Sequence, residues 1–182
     1  MKKLLFGVLF TASTLLSAHA QQGSIHVNGG LDFGLPVGDF GEVYGFGYGA
    51  TVKGLYGISD AGQVGLTLGY QRFGLKSDYD EHLSGSIGLS PIFALYRHSF
   101  GGLYVEPQVG LSINKTTLKM SDGDLGSFGF SGSASNTSLG YAAGVGYMFG
   151  NIDVSARYQG LSQDGQSLGF IGLRIGYSFG IK

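Results

Sequence analysis

GFIGLRIGYSFGIK, residues Gly169 to Lys182, is the stretch on which the fold turns. Ile171, Leu173, Ile175, Tyr177 and Phe179 occupy every odd position, and Gly172, Arg174, Gly176, Ser178 and Gly180 fall between them. Strict alternation of this kind marks a β-strand whose two faces meet different surroundings. With the apolar face inward, the chain is a soluble barrel or sandwich. With that face outward, the solvent it meets is lipid.

The same period recurs upstream and predicts eight strands. Ser24 to Pro36 sets Ile25, Val27, Leu31, Phe33 and Leu35 against His26, Asn28, Gly30, Asp32 and Gly34. Tyr44 to Gly57 sets Tyr44, Phe46, Tyr48, Ala50, Val52 and Tyr56 against Gly45, Gly47, Gly49, Thr51 and Lys53. A third strand pits Val64, Leu66, Leu68 and Tyr70 against Gly65, Thr67, Gly69 and Gln71, and a fourth pits Leu83, Ile87, Leu89, Phe93 and Leu95 against Ser84, Ser86, Gly88 and Ser90. In the fifth, Leu103, Val105, Val109, Leu111 and Ile113 alternate with Tyr104, Glu106, Gln108, Gly110, Ser112 and Asn114. The sixth carries Thr137, Leu139, Tyr141, Ala143, Val145, Tyr147 and Phe149 on one face, and the seventh Ile152, Val154, Ala156 and Tyr158. An even number of antiparallel strands can close on itself and leave no unpaired edge.

Connection lengths alternate too. The links after strands two, four and six are short: Ser59 to Gly62, His98 to Gly102, and Gly150-Asn151. Those after strands one, three, five and seven are longer: Val37 to Val43, Phe73 to His82, Lys119 to Asn136, and Leu161 to Ser167. Short turns on one rim and long loops on the other is the asymmetry of an outer-membrane barrel with its termini on the periplasmic side.

Which face meets lipid follows from charge. An exposed Gly/Ser face would be poor in charge for a water-washed surface. Turned inward, it fills a narrow lumen in which Asp32, Lys53, Glu106, Arg157 and Arg174 can pair, as they must, because a lone buried charge costs several kcal/mol. The expected pairing sets Arg157 and Arg174 against Asp32 and Glu106. Aromatic residues sort by height in agreement: Tyr44, Phe46, Tyr48, Tyr70 and Tyr158 toward the long loops, and Phe93, Tyr147, Phe149, Tyr177 and Phe179 toward the short turns.

Composition supports export and a sheet. Lys2 and Lys3, an apolar Leu4 to Leu16 and the small residues of Ser17-Ala18-His19-Ala20 have the layout of a cleavable signal peptide over residues 1–20, leaving a barrel domain over 21–182. No mature stretch has the ~20 apolar residues of a membrane helix. Charged residues are 13% of the chain, against roughly 25% in a typical soluble domain, and Gly supplies 35 of 182 residues. With 11 basic against 12 acidic residues, nothing points to a nucleic-acid partner, and no Cys offers a disulfide.

The leader, the eight-strand meander and the aromatic closing strand resemble the small outer-membrane β-barrel proteins of Gram-negative bacteria, similar to the OmpX and OmpA barrel group. LPVGDFGEVYGFGYGATVKGLYGIS, Leu35 to Ser59, resembles the start of the outer-membrane β-barrel domain proteins common in Bacteroidota. Gly172, Ile175 and Tyr177 lie where the assembly signal of such barrels falls, although Gly180-Ile181-Lys182 follow the last aromatic. The resemblance implies residence in the cell outer membrane, contact with its lipid and lipopolysaccharide, and insertion by the barrel-assembly machinery. A surface or envelope protein partner is a further implication.

Candidate chemistry is sparse. His98-Ser99 with Glu106 is the one cluster suggestive of a lipid A deacylase-like triad, but adjacent residues of a strand point to opposite faces, and these lie at a short turn. No catalytic residue is assigned. SDYDEH, Ser77 to His82, offers Asp78, Asp80 and Glu81 as acidic loop groups without calcium-loop spacing, and the Gly/Ser-rich Met120 to Ser135 presents Phe128 and Phe130 as contact candidates. No metal or cofactor is expected. Eight strands leave a lumen only wide enough for side chains, so passive porin activity is not expected either. The expected role is non-enzymatic, structural or interactive, acting through the outer loops. A lipid A-modifying enzyme, a subunit of a larger envelope assembly and a soluble lipid-carrying barrel are the competing classes.

Overall fold

A computed structural model describes residues 23–76, 83–120, 131–163 and 166–181; the signal-peptide segment lies outside them. Eight strands run β1 (Ile25–Val37), β2 (Tyr44–Gly57), β3 (Gly62–Leu75), β4 (Leu83–Phe100), β5 (Leu103–Met120), β6 (Ser131–Phe149), β7 (Ile152–Gln163) and β8 (Gln166–Ile181), with a five-residue helix, α1 (Asp39–Val43), between the first two. Each strand pairs antiparallel with its sequence neighbours, and β8 returns to β1 to close the barrel, from Ile25↔Ile181 to Val37↔Gly169. Closure satisfies every strand edge, which is the condition for a sheet to cross lipid.

The register is sheared. From Asp32, cross-strand partners lead through Gly49, Gln71 and Leu89 to Asn114 in one direction. In the other they lead through Arg174, Ser155 and Gly146 to Tyr104. The two ends lie ten residues apart on β5, Asn114 against Tyr104. A stagger of this size accompanies strands tilted by roughly 35–45° to the barrel axis.

Outside, the wall is apolar. Leu31, Leu66, Leu68, Val109, Leu111, Leu139, Leu173 and Ile175 are all exposed, Leu139 by 67%. Phe33, Phe46, Tyr48, Tyr70, Tyr141 and Tyr158 are exposed toward the loop end, and Tyr56, Tyr96, Phe100, Tyr147, Phe149 and Phe179 toward the turn end. Several of these rings lie over a glycine of the adjoining strand. A Cβ on Gly88, Gly160 or Gly169 would come within 2.7, 2.5 or 2.6 Å of Tyr70, Tyr141 or Tyr158. Much of the high glycine content of the wall is thus explained by packing space. At the short turns Gly101 and Gly150 take φ of 73° and 62°, which a side chain rarely adopts.

Several expectations are corrected. The face of β4 expected to meet lipid points inward: Ile87, Leu89, Phe93 and Leu95 are buried, and Ile92, Ala94 and Tyr96 are the exposed residues. This strand is apolar on both faces, so alternation alone could not orient it. Phe93 therefore leaves the outer aromatic set. Tyr44 is half-buried and packs on Phe40, with ring centroids 5.0 Å apart. Two long connections shrink because their strands continue: β7 and β8 pair as far as Gln163↔Gln166, and β5 and β6 as far as Lys119↔Ser131. The long link after β1 contains α1.

The interior has two storeys. Toward the loops lies an apolar plug of Phe40, Phe73, Ile87, Leu89, Phe93, Ala142, Leu161 and Phe170. Phe73 centres it, 5.2 Å from the Phe40 ring and 5.1 Å from that of Phe170. Helix α1 has no side-chain cap and owes its place to Phe40, which is buried on the plug, and to Lys76 Nζ, which donates to the Gly41 carbonyl. Toward the turns, the filling is ionic.

Candidate functional site: the charged lumen and the outer mouth

Every inward charge sits on a strand whose opposite face meets lipid, so the alternation that puts Ile175 outside puts Arg174 inside. Among the described residues, seven charged side chains are buried there: Lys53, Arg97, Arg157 and Arg174, with Asp32, Glu106 and Asp153. They form linked groups. Glu106 accepts from Lys53 Nζ, from Arg97 Nε at 2.7 Å and from Gln108 Nε2 at 2.8 Å. Asp153 accepts from Asn28 Nδ2 at 2.8 Å, the Tyr104 hydroxyl at 2.5 Å, and Arg97 and Arg174 at 3.3 Å each. The Arg97 guanidinium also lies 3.8 Å from the centre of the Tyr104 ring. At Asp32, the Thr51 hydroxyl donates at 2.7 Å, Arg157 Nη1 stands 2.9 Å from Oδ1, and Arg174 Nε is 4.0 Å away.

The expected pairing is partly redrawn. Glu106 belongs to Lys53 and Arg97, and neither Arg157 nor Arg174 bonds it. Arg157 goes to Asp32, while Arg174 bridges Asp153, Thr51 and Asn28. Arg97 and Asp153 were missed. Asp153 was legible, since it falls between outward Ile152 and Val154, whereas Arg97 lies on the doubly apolar β4.

At the outer mouth, α1 and the ends of β4, β5 and β8 bound a cleft of about 360 Å³, with Asp39 and Glu42 beside Phe40, Ile87, Thr116 and Leu168. Asp78, Asp80, Glu81, Phe128 and Phe130 lie outside the described residues. The triad does not form: His98 Nδ1 is 3.0 Å from the Tyr96 hydroxyl on the outer face, and Glu106 is held in the lumen. Among the described residues, no three His, Cys, Asp or Glu side chains are placed to hold a metal.

A closed eight-strand antiparallel meander, apolar outside and filled inside, is an outer-membrane β-barrel, and the protein belongs in the outer membrane. No family model matches the chain, and neither does any curated protein. Solved structures do. The chain is similar to Ail, the attachment invasion locus protein of Yersinia pestis, with a TM-score of 0.60 and 19% identity over 87% of this chain and 100% of Ail. It is also similar to the N-terminal β-barrel domain of OprF from Pseudomonas aeruginosa, at 0.52 and 20% over 87% and 98%. Neisserial surface protein A matches at 0.54 and 18% over 86% and 98%. At these identities the likeness is one of fold.

Proposed function

We propose that the protein is a non-enzymatic structural and surface-interaction barrel that acts at its outer mouth and extracellular loops. The carrying observation is the doubly filled lumen. An ionic storey and an aromatic storey occupy the interior, so neither solute passage nor a ligand inside the barrel suits it, and the chemistry left open to a partner is at the mouth. Ail, a barrel of this fold, has been crystallised in complex with the heparin analogue sucrose octasulfate. Lipopolysaccharide around the wall and the barrel-assembly machinery are the further partners this reading carries.

The test is crosslinking in native outer membranes with a photoreactive side chain at Glu42, on the rim of the cleft. One discrete partner, absent when the label is moved to the lipid-facing Leu173, is the expected result. A change in the lipid A mass spectrum on overexpression, abolished by Ser99→Ala, would replace this reading with an enzymatic one. Recovery of the protein from a detergent-free periplasmic fraction would replace it with a soluble carrier.

A further inference from the structure

Two cations stand apart from the lumen. The carboxylates on described strand residues, Asp32, Glu106 and Asp153, are all buried inside the barrel, and Lys53, Arg97, Arg157 and Arg174 join them there. Arg72 on β3 and Lys115 on β5 are exposed instead. Arg72 falls between the buried Gln71 and Phe73, and Lys115 follows the buried Asn114, so parity turns both outward. Among the described residues, no strand carboxylate shares that face with them.

The register sets the two side by side. Arg72 pairs with Gly88 of β4, and Gly88 pairs on its other side with Lys115. With adjoining strands about 4.8 Å apart, the two Cα atoms are separated by about 10 Å, and the residue between them has no side chain. The Tyr70 ring fills that gap: a Cβ on Gly88 would stand 2.7 Å from the Tyr70 hydroxyl oxygen. Two cations thus flank a phenolic hydroxyl, which can donate to an anion that both cations attract.

Their height tells what surrounds them. Tyr48 is the partner of Arg72 on β2, and Tyr48 and Tyr70 are both in the exposed aromatic set at the loop end. One outward position nearer the turns, Tyr70 and Ile113 are exposed, and Leu68 and Leu111 follow them in the apolar wall. Arg72 and Lys115 therefore stand at the upper rim of the apolar band, where side-chain stems lie against acyl chains and charged heads reach the lipid headgroups.

We propose that Arg72, Lys115 and the Tyr70 hydroxyl form a docking site for a phosphate group of outer-leaflet lipopolysaccharide. This site rests on the reading of lipopolysaccharide as a partner and gives that partner a place on the wall. Charge complementarity carries the assignment: two neighbouring cations repel, and a phosphate between them turns repulsion into attraction. A lipid suits the site better than a free ion or a protein. The site opens sideways into the bilayer above Leu68 and Ile113, so a phosphate that arrives with acyl chains satisfies the cations and covers the apolar wall beneath them.

The refolded barrel in detergent is titrated with bisphosphorylated lipid A, with the same lipid after removal of its phosphates, and with phosphatidylglycerol, and bound lipid is counted by native mass spectrometry. The native chain is expected to retain the phosphorylated lipid A best. Arg72→Gln combined with Lys115→Gln is expected to weaken that retention by about tenfold or more, the order that charge-assisted hydrogen bonds contribute. Tyr70→Phe is expected to weaken it less, and Lys76→Gln, a rim cation outside this row, to leave it unchanged. A gel comparison of unheated and boiled samples checks that each variant closes, and the single variants are measured if the double variant does not. Equal retention by the double variant, or of the lipid without phosphates, overturns the site. Phosphatidylglycerol retained as well as lipid A overturns the assignment to lipopolysaccharide, and lipid A retained in neither form removes lipopolysaccharide as a partner altogether. The Glu42 crosslink reads a protein at the mouth and does not depend on these side chains, so the two readings fail separately.

Discussion

Glu106 is the acceptor on which two cations depend. Replacing it by Gln leaves Lys53 and Arg97 buried beside a neutral amide, and raises the excess positive charge of the lumen from one to two. Breaking one side of a buried pair costs about 3–5 kcal/mol, so Glu106→Gln is expected to lower stability by that order in urea unfolding of the refolded barrel. Arg174→Gln is expected to cost less, because Asp153 keeps Asn28, Tyr104 and Arg97. Unchanged midpoints for both variants would remove the network as a source of stability. The inward position of Asp32, Lys53, Glu106, Arg157 and Arg174 was legible in the sequence, because parity is a local property of a strand. Their partners were not. Glu106 and Lys53 are separated by 53 residues, and pairing across a lumen depends on shear, which alternation does not encode.

At the scale of the strand, β4 shows where period two fails. Ile92, Ala94 and Tyr96 face out while Leu89, Phe93 and Leu95 face in, so both faces read as apolar, and only closure of the barrel decides between them. The seven other strands carry Gly, Ser or charged residues inside, and their orientation could be read directly. The two faces of β4 answer differently to truncation. Phe93 packs in the plug, and its ring fills the place a Cβ would take at Gly140, 2.5 Å away. Phe93→Ala therefore opens a cavity and is expected to cost about 3–5 kcal/mol. Ile92→Ala, one residue away on the lipid face, is expected to cost much less, since acyl chains fill the space. Paired unfolding measurements in the same bilayer check this, and equal losses would contradict the inverted orientation of the strand. Helix α1 was invisible for a related reason: its five residues have no cap and no period, and it is set by Phe40 packing on the plug.

For the whole molecule, the two storeys close the barrel in series, and this predicts how it behaves as a pore. An eight-stranded barrel has an interior just wide enough to be filled by side chains. Here the ionic storey ties β1, β2, β4, β5, β7 and β8 to one another through Asp32, Thr51, Lys53, Arg97, Glu106, Asp153, Arg157 and Arg174. The plug above it ties β3, β4, β6, β7 and β8 through Phe73, Leu89, Ala142, Leu161 and Phe170. Native protein in a planar bilayer is therefore expected to show no stable conductance steps. Thinning the plug alone, with Phe73→Ala and Phe170→Ala together, is expected to lower the thermal midpoint and still to give no conductance, because the ionic storey remains in the path. Adding Arg97→Ala and Arg174→Ala, which removes the two guanidiniums that cross to Asp153, is the combination expected to give brief ion-conducting openings. Conductance from the plug variant alone would show that the ionic storey is not a barrier, and would place the seal of the barrel in its aromatic half.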